Sequence, residues 1–113
     1  MLKLSSVKVS PSISIKSVLK KLDLTGAKYL LVVSAKNKLL GTISDGDIRR
    51  ALLKSINLDS KITNLFNKSP TYIDSENLNH SKIKKNLKKL QISYLPILDR
   101  DFKLVDIYLE NDS

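Results

Sequence analysis

Ser44 and Asp47, three residues apart, are the polar pair whose types and spacing point most directly to chemistry. They lie in the stretch Leu39-Leu40-Gly41-Thr42-Ile43-Ser44-Asp45-Gly46-Asp47-Ile48-Arg49-Arg50, where an apolar run ends in a hydroxyl, two acids around a glycine, and two arginines. A strand handing over to a helix here presents free backbone N–H groups and the positive end of the helix dipole, both of which attract anions. The hydroxyl and the carboxylate would flank that mouth. The same spacing also fits a Ser-x-x-Asp variant of the capping box, in which both groups serve only the helix. The residues alone leave both readings open.

The rest of the composition narrows the field. A chain of 113 residues, 42% hydrophobic and 27% charged, has the make-up of one soluble globular domain, too small for most complete enzymes. With no cysteine and a single histidine, His80, there is no disulfide framework, thiolate site or histidine cluster. No nucleophile–base pair or metal constellation is apparent, so no catalytic residue, metal ligand or cofactor is assigned. His80 reads as a surface or capping residue. The longest apolar runs are strand-sized, which argues against a membrane span or secretory leader and for a cytoplasmic protein.

A formal charge of +9, from seventeen lysines and three arginines against eleven acids, raises nucleic acid as a partner. The densest basic run, 82–89, carries Ile83, Leu87 and Leu90 at helical spacing, so it is read as the solvated face of an amphipathic helix. Aromatic residues, 5% of the chain, are few for base stacking, and the nucleic-acid reading ranks last.

Elements must position Ser44 and Asp47. Residues 1–6 read as a weak start, followed by a short strand at Val7-Lys8-Val9. Ile15, Val18, Leu19 and Leu22 mark a helix stripe, with Ser12 or Ser14 as its cap and Gly26 as its stop. Tyr29 to Ser34 reads as a strand covered on both faces, and residues 35–38 as a hairpin turn. Leu39 to Ser44 is the second strand of the hairpin, and Asp45 to Lys54 a helix. The connector 56–67 carries a small apolar cluster at Ile62, Leu65 and Phe66. Beyond it lie a brief strand at Thr71-Tyr72-Ile73, a helix at 79–90, and strands at 94–98 and 104–109.

The second half repeats the first at a constant offset of 65 residues. Tyr29-Leu30 returns as Tyr94-Leu95, Lys38-Leu39 as Lys103-Leu104, Leu22 as Leu87 and Asp47 as Asp112. The fold class expected is α/β (α+β): two β-α-β-β-α repeats, about 7–55 and 68–113, each covering the other's sheet. Ser113 matches Ile48, so the second repeat stops inside its final helix. The chain is therefore expected to be the N-terminal piece of a longer protein.

These residues resemble a tandem pair of cystathionine-β-synthase (CBS) motifs, a Bateman module. Gly41, Ser44 and Asp47 match the family's phosphate/ribose pattern, and the duplication covers nearly the whole chain. The resemblance implies a regulatory module binding an adenosine nucleotide (AMP, ADP or ATP) between the motifs, with Asp47 on the ribose and Ser44 with the helix mouth on phosphate. It places Lys68, Ser69, Pro70, Thr71, Ser93, Tyr94 and Pro96 opposite them, with Tyr94 stacking on the base. Arg49 and Arg50 supplement the phosphate site, or Arg50 faces solvent or a sister subunit. Asp45 is left to cap the helix.

The second cleft departs from the pattern. Asp106, Leu109 and Asp112 stand where Gly41, Ser44 and Asp47 do, with Ser10, Pro11 and the Lys28-Tyr29 pair on the base side, and weak or absent binding is expected. The stretch 42–50 further resembles CBS pairs joined to sugar-phosphate isomerases or sugar-1-phosphate nucleotidyltransferases. The early start favours the latter, with the catalytic domain C-terminal. Homodimerisation is also implied, and a ligand-free dimerisation module is the alternative function.

Overall fold

The structure is a computed structural model and describes residues 2–110. The short helix α1 (Leu4–Val7) leads into β1 (Lys8–Val9), α2 (Ile15–Thr25), β2 (Tyr29–Val33), β3 (Leu39–Ser44) and α3 (Asp45–Leu53). After the connector come β4 (Ile73–Asp74), α4 (His80–Leu90), β5 (Tyr94–Leu98) and β6 (Leu104–Leu109). Two three-stranded sheets result, ordered β1-β2-β3 and β4-β5-β6. In each, the first strand is parallel to the second and the second antiparallel to the third. Both hairpins slip register at matching places, Val32/Val33 and Ile97/Leu98, 65 residues apart.

Local chemistry accounts for the helices. In α2 the stripe Ile15, Val18 and Leu22 is buried, Ser14 accepts from the Ser17 N–H as N-cap, and Gly26 closes the helix at φ +72. In α4, Asn79 caps and only Ile83 and Leu87 are buried, which leaves its lysines on a solvated face. Leu90, expected in that stripe, is half exposed and turned to a cleft.

The repeats share one interior. Tyr94, Leu98, Leu104 and Ile107 of the second repeat join the main core around Ile15, Leu30, Val32 and Ile43, while Leu95 and Tyr108 sit with α4 in a smaller cluster. Reciprocal bonds stitch the seam. The Leu39 N–H donates to Phe102 O (3.1 Å) and the Leu104 N–H to Asn37 O (2.9 Å). Tyr29 and Tyr94 stack at 4.4 Å, and each hydroxyl donates to the other's backbone carbonyl at 2.5 Å. A pseudo-twofold axis thus runs between residues 65 apart.

Three expectations need correction. The start is not a loose tail: α1 forms there, and Val7, its last residue, is fully buried. The strand expected at 71–73 lies at 73–74, because only Ile73 and Asp74 find partners on β5, at Ile97 and Leu98. The connector is not merely a link. Ile62 is fully buried, its N–H donates to Ile13 O, and Ser14 bridges Lys61. Further on, Thr42 and Asn67 exchange two backbone hydrogen bonds of 2.9 and 2.8 Å, so the connector lies along the free edge of β3.

Candidate functional site

Gly41 is where the connector crosses β3. A Cβ there would stand 2.0 Å from Asn67 O and 2.7 Å from the Phe66 ring. The glycine is thus a close-approach residue. Its counterpart Asp106 lies exposed on β6, where its carboxylate accepts from the Ile107 N–H.

Three residues on, β3 becomes α3 through a complete capping box. Ser44 is the N-cap in extended conformation, and its Oγ accepts from the Asp47 N–H (3.2 Å). Asp47 Oδ2 in return accepts from the Ser44 N–H (2.9 Å) and from Ser44 Oγ (3.0 Å). The second carboxylate oxygen, Oδ1, takes Nη2 of Arg50 at 2.8 Å. The expectation that Asp45 caps the helix is overturned. Ser44 has the extended backbone a cap requires, while Asp45 is already helical and pairs loosely with Arg49 at 3.8 Å.

This junction opens on a cleft of about 690 Å³ between the repeats, within the size range of small-molecule sites. Thr42, Ser44, Asp47 and Arg50 supply its polar wall, and Lys28 stands at the side with Nζ donating to Gln91 O of the other repeat. Tyr29 and Phe66 meet Leu90, Ile92 and Leu95 of the second repeat as the apolar wall, with Asn67 and Thr71 beside them. The cleft therefore combines two cations, a carboxylate at a helix N-terminus, and apolar surface from both repeats.

Of the residues expected here, the cleft gathers Ser44, Asp47, Arg50 and Thr71 and leaves the others outside its lining. Tyr94 does not reach it. The side chain is 1% exposed and its ring face is taken by Tyr29, so it cannot stack on a ligand. Pro96 is buried within β5. Lys68 lies over the Phe66 ring at 5.7 Å, the Ser69 N–H donates to Asn67 Oδ1, and neither they nor Pro70 line the cleft. Arg49 faces a neighbouring groove with Asp45. Burial pushes both phenols well above their ordinary 10.0, and Tyr94 is raised further by neighbouring Tyr29.

The second cleft also forms, but from other residues. Leu2, Lys3 and Ser6 line about 840 Å³ together with Thr25, Gly26, Ser93, Leu109 and Glu110. Leu2, Ser6, Thr25, Ser93 and Leu109 are the 65-residue counterparts of Asn67, Thr71, Leu90, Lys28 and Ser44 in the first cleft. Ser93, expected in cleft one, lies here, and Lys28 and Tyr29, expected here, lie in cleft one. Ser10 bonds Ser12 Oγ in a separate shallow depression, and Pro11 O accepts from Thr63. Asp112 lies outside the described residues.

Sequence reasoning assigned Lys28 to cleft two and missed Thr42, Phe66 and Asn67 in cleft one. The duplication register carried a signal for Lys28, opposite Ser93, but nothing in the sequence shows that the connector folds over Gly41. His80 begins α4, and its Nδ1 lies 2.6 Å from the Tyr108 hydroxyl, away from both clefts. Among the described residues, no group of three or more metal-ligating side chains is gathered, and no helix is long and apolar enough to cross a membrane.

Comparison with known proteins follows this geometry. Residues 3–54 match the family model described as the CBS domain. Two curated relatives, both called "Uncharacterized protein", from Helicobacter pylori strains J99 and 26695, are 33% identical over 92 residues. That stretch covers 81% of this chain and 25% of each relative, so the chain spans about a quarter of their length. Among solved structures, CBSX2 in complex with AMP has a TM-score of 0.73 at 23% identity, covering 96% of this chain and 85% of that one. The CBS domain pair of protein MJ0100, in complex with 5′-methylthioadenosine and S-adenosyl-L-methionine, has 0.70 at 24%, covering 92% and 81%. The CBS domains of a transcriptional regulator from Streptococcus pneumoniae have 0.77 at 10%, covering 98% and 89%. The fold is that of these CBS domain pairs.

Proposed function

We propose that the chain is the regulatory module of a larger protein and binds an adenosine nucleotide, AMP, ADP or ATP, in cleft one. The observation that carries this reading is the set of groups that meet in one cleft between the repeats. Arg50, Lys28 and the α3 mouth suit phosphate, Asp47 suits ribose hydroxyls, and the wall of Phe66, Ile92 and Leu95 suits a base. The ligands named for CBSX2 and MJ0100 are adenosine compounds, which favours the same class here. Thr71 and the backbone near Asn67 are the groups at hand for the base edge.

Binding across the two repeats favours the arrangement in which both walls meet, and biases whatever is attached to the module. The attached part is read as a sugar-1-phosphate nucleotidyltransferase of the cytoplasm, on the resemblance of the stretch 42–50 alone. Calorimetric titration of AMP, ADP and ATP tests the binding. One saturable site, weakened at least about tenfold in Asp47→Ala, is expected. No saturation by any of the three, or unchanged affinity in Asp47→Ala, refutes it.

A second reading, ligand-free dimerisation, has its own support. The polar groups of Ser44, Asp47 and Arg50 already satisfy one another, and Leu24 and Leu53 are 87% and 81% exposed. Light scattering tests it: a dimer that binds no nucleotide supports this reading over the first.

A further inference from the structure

We propose that Arg50 is the specificity-determining residue of cleft one, an ionic latch on Asp47 that opens for phosphate and selects phosphorylated adenosine ligands over neutral ones. The inference rests on the nucleotide reading of the cleft and names which adenosine compounds it takes.

Asp47 has little acceptor capacity to spare. Its Oδ2 already receives the Ser44 N–H and hydroxyl, and Oδ1, the oxygen left for a ligand, is held by Arg50 at 2.8 Å. Oδ1 keeps one acceptor site, so a sugar diol reaching for this carboxylate with both hydroxyls competes with the guanidinium. Arg50 in turn is folded back over the start of α3, where its nitrogens would lie 3.4 and 3.6 Å from a Cβ on Gly46. That holds a positive group beside the positive end of the helix dipole, with Asp47 offsetting the repulsion.

The latch is weak but conditional. The Arg50 side chain is 68% exposed, so its ion pair is easily exchanged for another. It releases Asp47 at little cost only when a second anion takes the guanidinium, and a phosphate at the α3 mouth can do so in a two-pronged contact. One phosphate then frees the carboxylate for the sugar while Lys28, at the cleft side, adds a second charge. A neutral nucleoside brings no anion to take the guanidinium from Asp47. Arg49 does not substitute, since it faces the neighbouring groove with Asp45.

The test is calorimetry at constant low ionic strength with AMP, adenosine, 5′-methylthioadenosine and S-adenosylmethionine. The proteins compared are the unaltered chain, Arg50→Gln, and Arg100→Gln, which removes an equal charge from the exposed Arg100–Glu76 pair on the turn before β6. AMP is expected to bind the unaltered chain and Arg100→Gln about tenfold or more tighter than adenosine. In Arg50→Gln the gap narrows to less than about threefold, with adenosine binding held or improved because Asp47 is freed. Equal binding of AMP and adenosine by the unaltered chain overturns the latch and leaves the nucleotide reading standing. So does a parallel loss for all ligands in Arg50→Gln, the signature of a purely structural role. No binding of any of the four overturns both.

Discussion

Replacing Gly41 with alanine is the sharpest structural perturbation the molecule offers. The added Cβ would lie 2.0 Å from the Asn67 carbonyl and 2.7 to 2.9 Å from two atoms of the Phe66 ring. The carbonyl is backbone, held by the Thr42 N–H and matched by the Asn67 N–H donating back to Thr42, so it cannot move without breaking both bonds. Losing them costs about 0.5–1.5 kcal/mol each, and forcing Phe66 off its seat adds about 1–3 kcal/mol of overpacking. The sum is about 2–6 kcal/mol, or roughly 8–24 °C in Tm at about 4 °C per kcal/mol for a domain of this size. Urea and thermal unfolding measure it. The reciprocal change at the matching position, Asp106→Gly, relieves no crossing and should cost no more than about 1 kcal/mol of strand propensity. Because Phe66 and Asn67 line cleft one, Gly41→Ala should also weaken the nucleotide binding proposed above. A Gly41→Ala protein melting within about 2 °C of the unaltered chain would refute the crossing.

Two further outcomes follow from packing and ionisation. Ile62→Ala should destabilise by about 2–5 kcal/mol, a core-sized loss from a connector position; a surface-sized loss under about 0.5 kcal/mol in urea unfolding would show that the connector is not part of the core. The tyrosine pair sets an alkaline limit. Folding raises both phenol pKa values above 10.0, so their contribution is fully present below about pH 10 and is lost as pH climbs further, because the unfolded chain releases those protons first. Tyr94→Phe should therefore flatten the fall of stability above pH 10 by up to about 1.4 kcal/mol per pH unit, read from urea midpoints across that range, whereas identical slopes would contradict the buried pair.

How much of this was legible in the sequence depends on which forces set each feature. Helices α2 and α4 were readable because capping and periodicity are local: Ser14, Gly26 and Asn79 sit where those rules put them. The duplication register was readable too, and it fixes the pseudo-twofold axis along which Tyr29 meets Tyr94. Which cleft each residue lines is set by how the sheets pack, and the register alone cannot give it. Tyr94 was expected on a base through the CBS resemblance, but the symmetry that pairs it with Tyr29 also removes it from the surface. The connector was hardest. Ile62, Phe66 and Asn67 show no period of their own, and they acquire their roles only by lying against Ile13 and Thr42. At Ser44 and Asp47 both sequence readings bear on one place, since the groups complete a capping box and also face the cleft.

The central claim is that an adenosine nucleotide occupies cleft one, and amide mapping by NMR during a titration with AMP tests it most directly. The account predicts saturable shifts at Thr42, the first turn of α3, Asn67, Thr71 and Ile92, around a single site. Absence of saturable shifts, or the largest shifts at Lys3, Ser6, Ser93 and Glu110 around the other cleft, would contradict it.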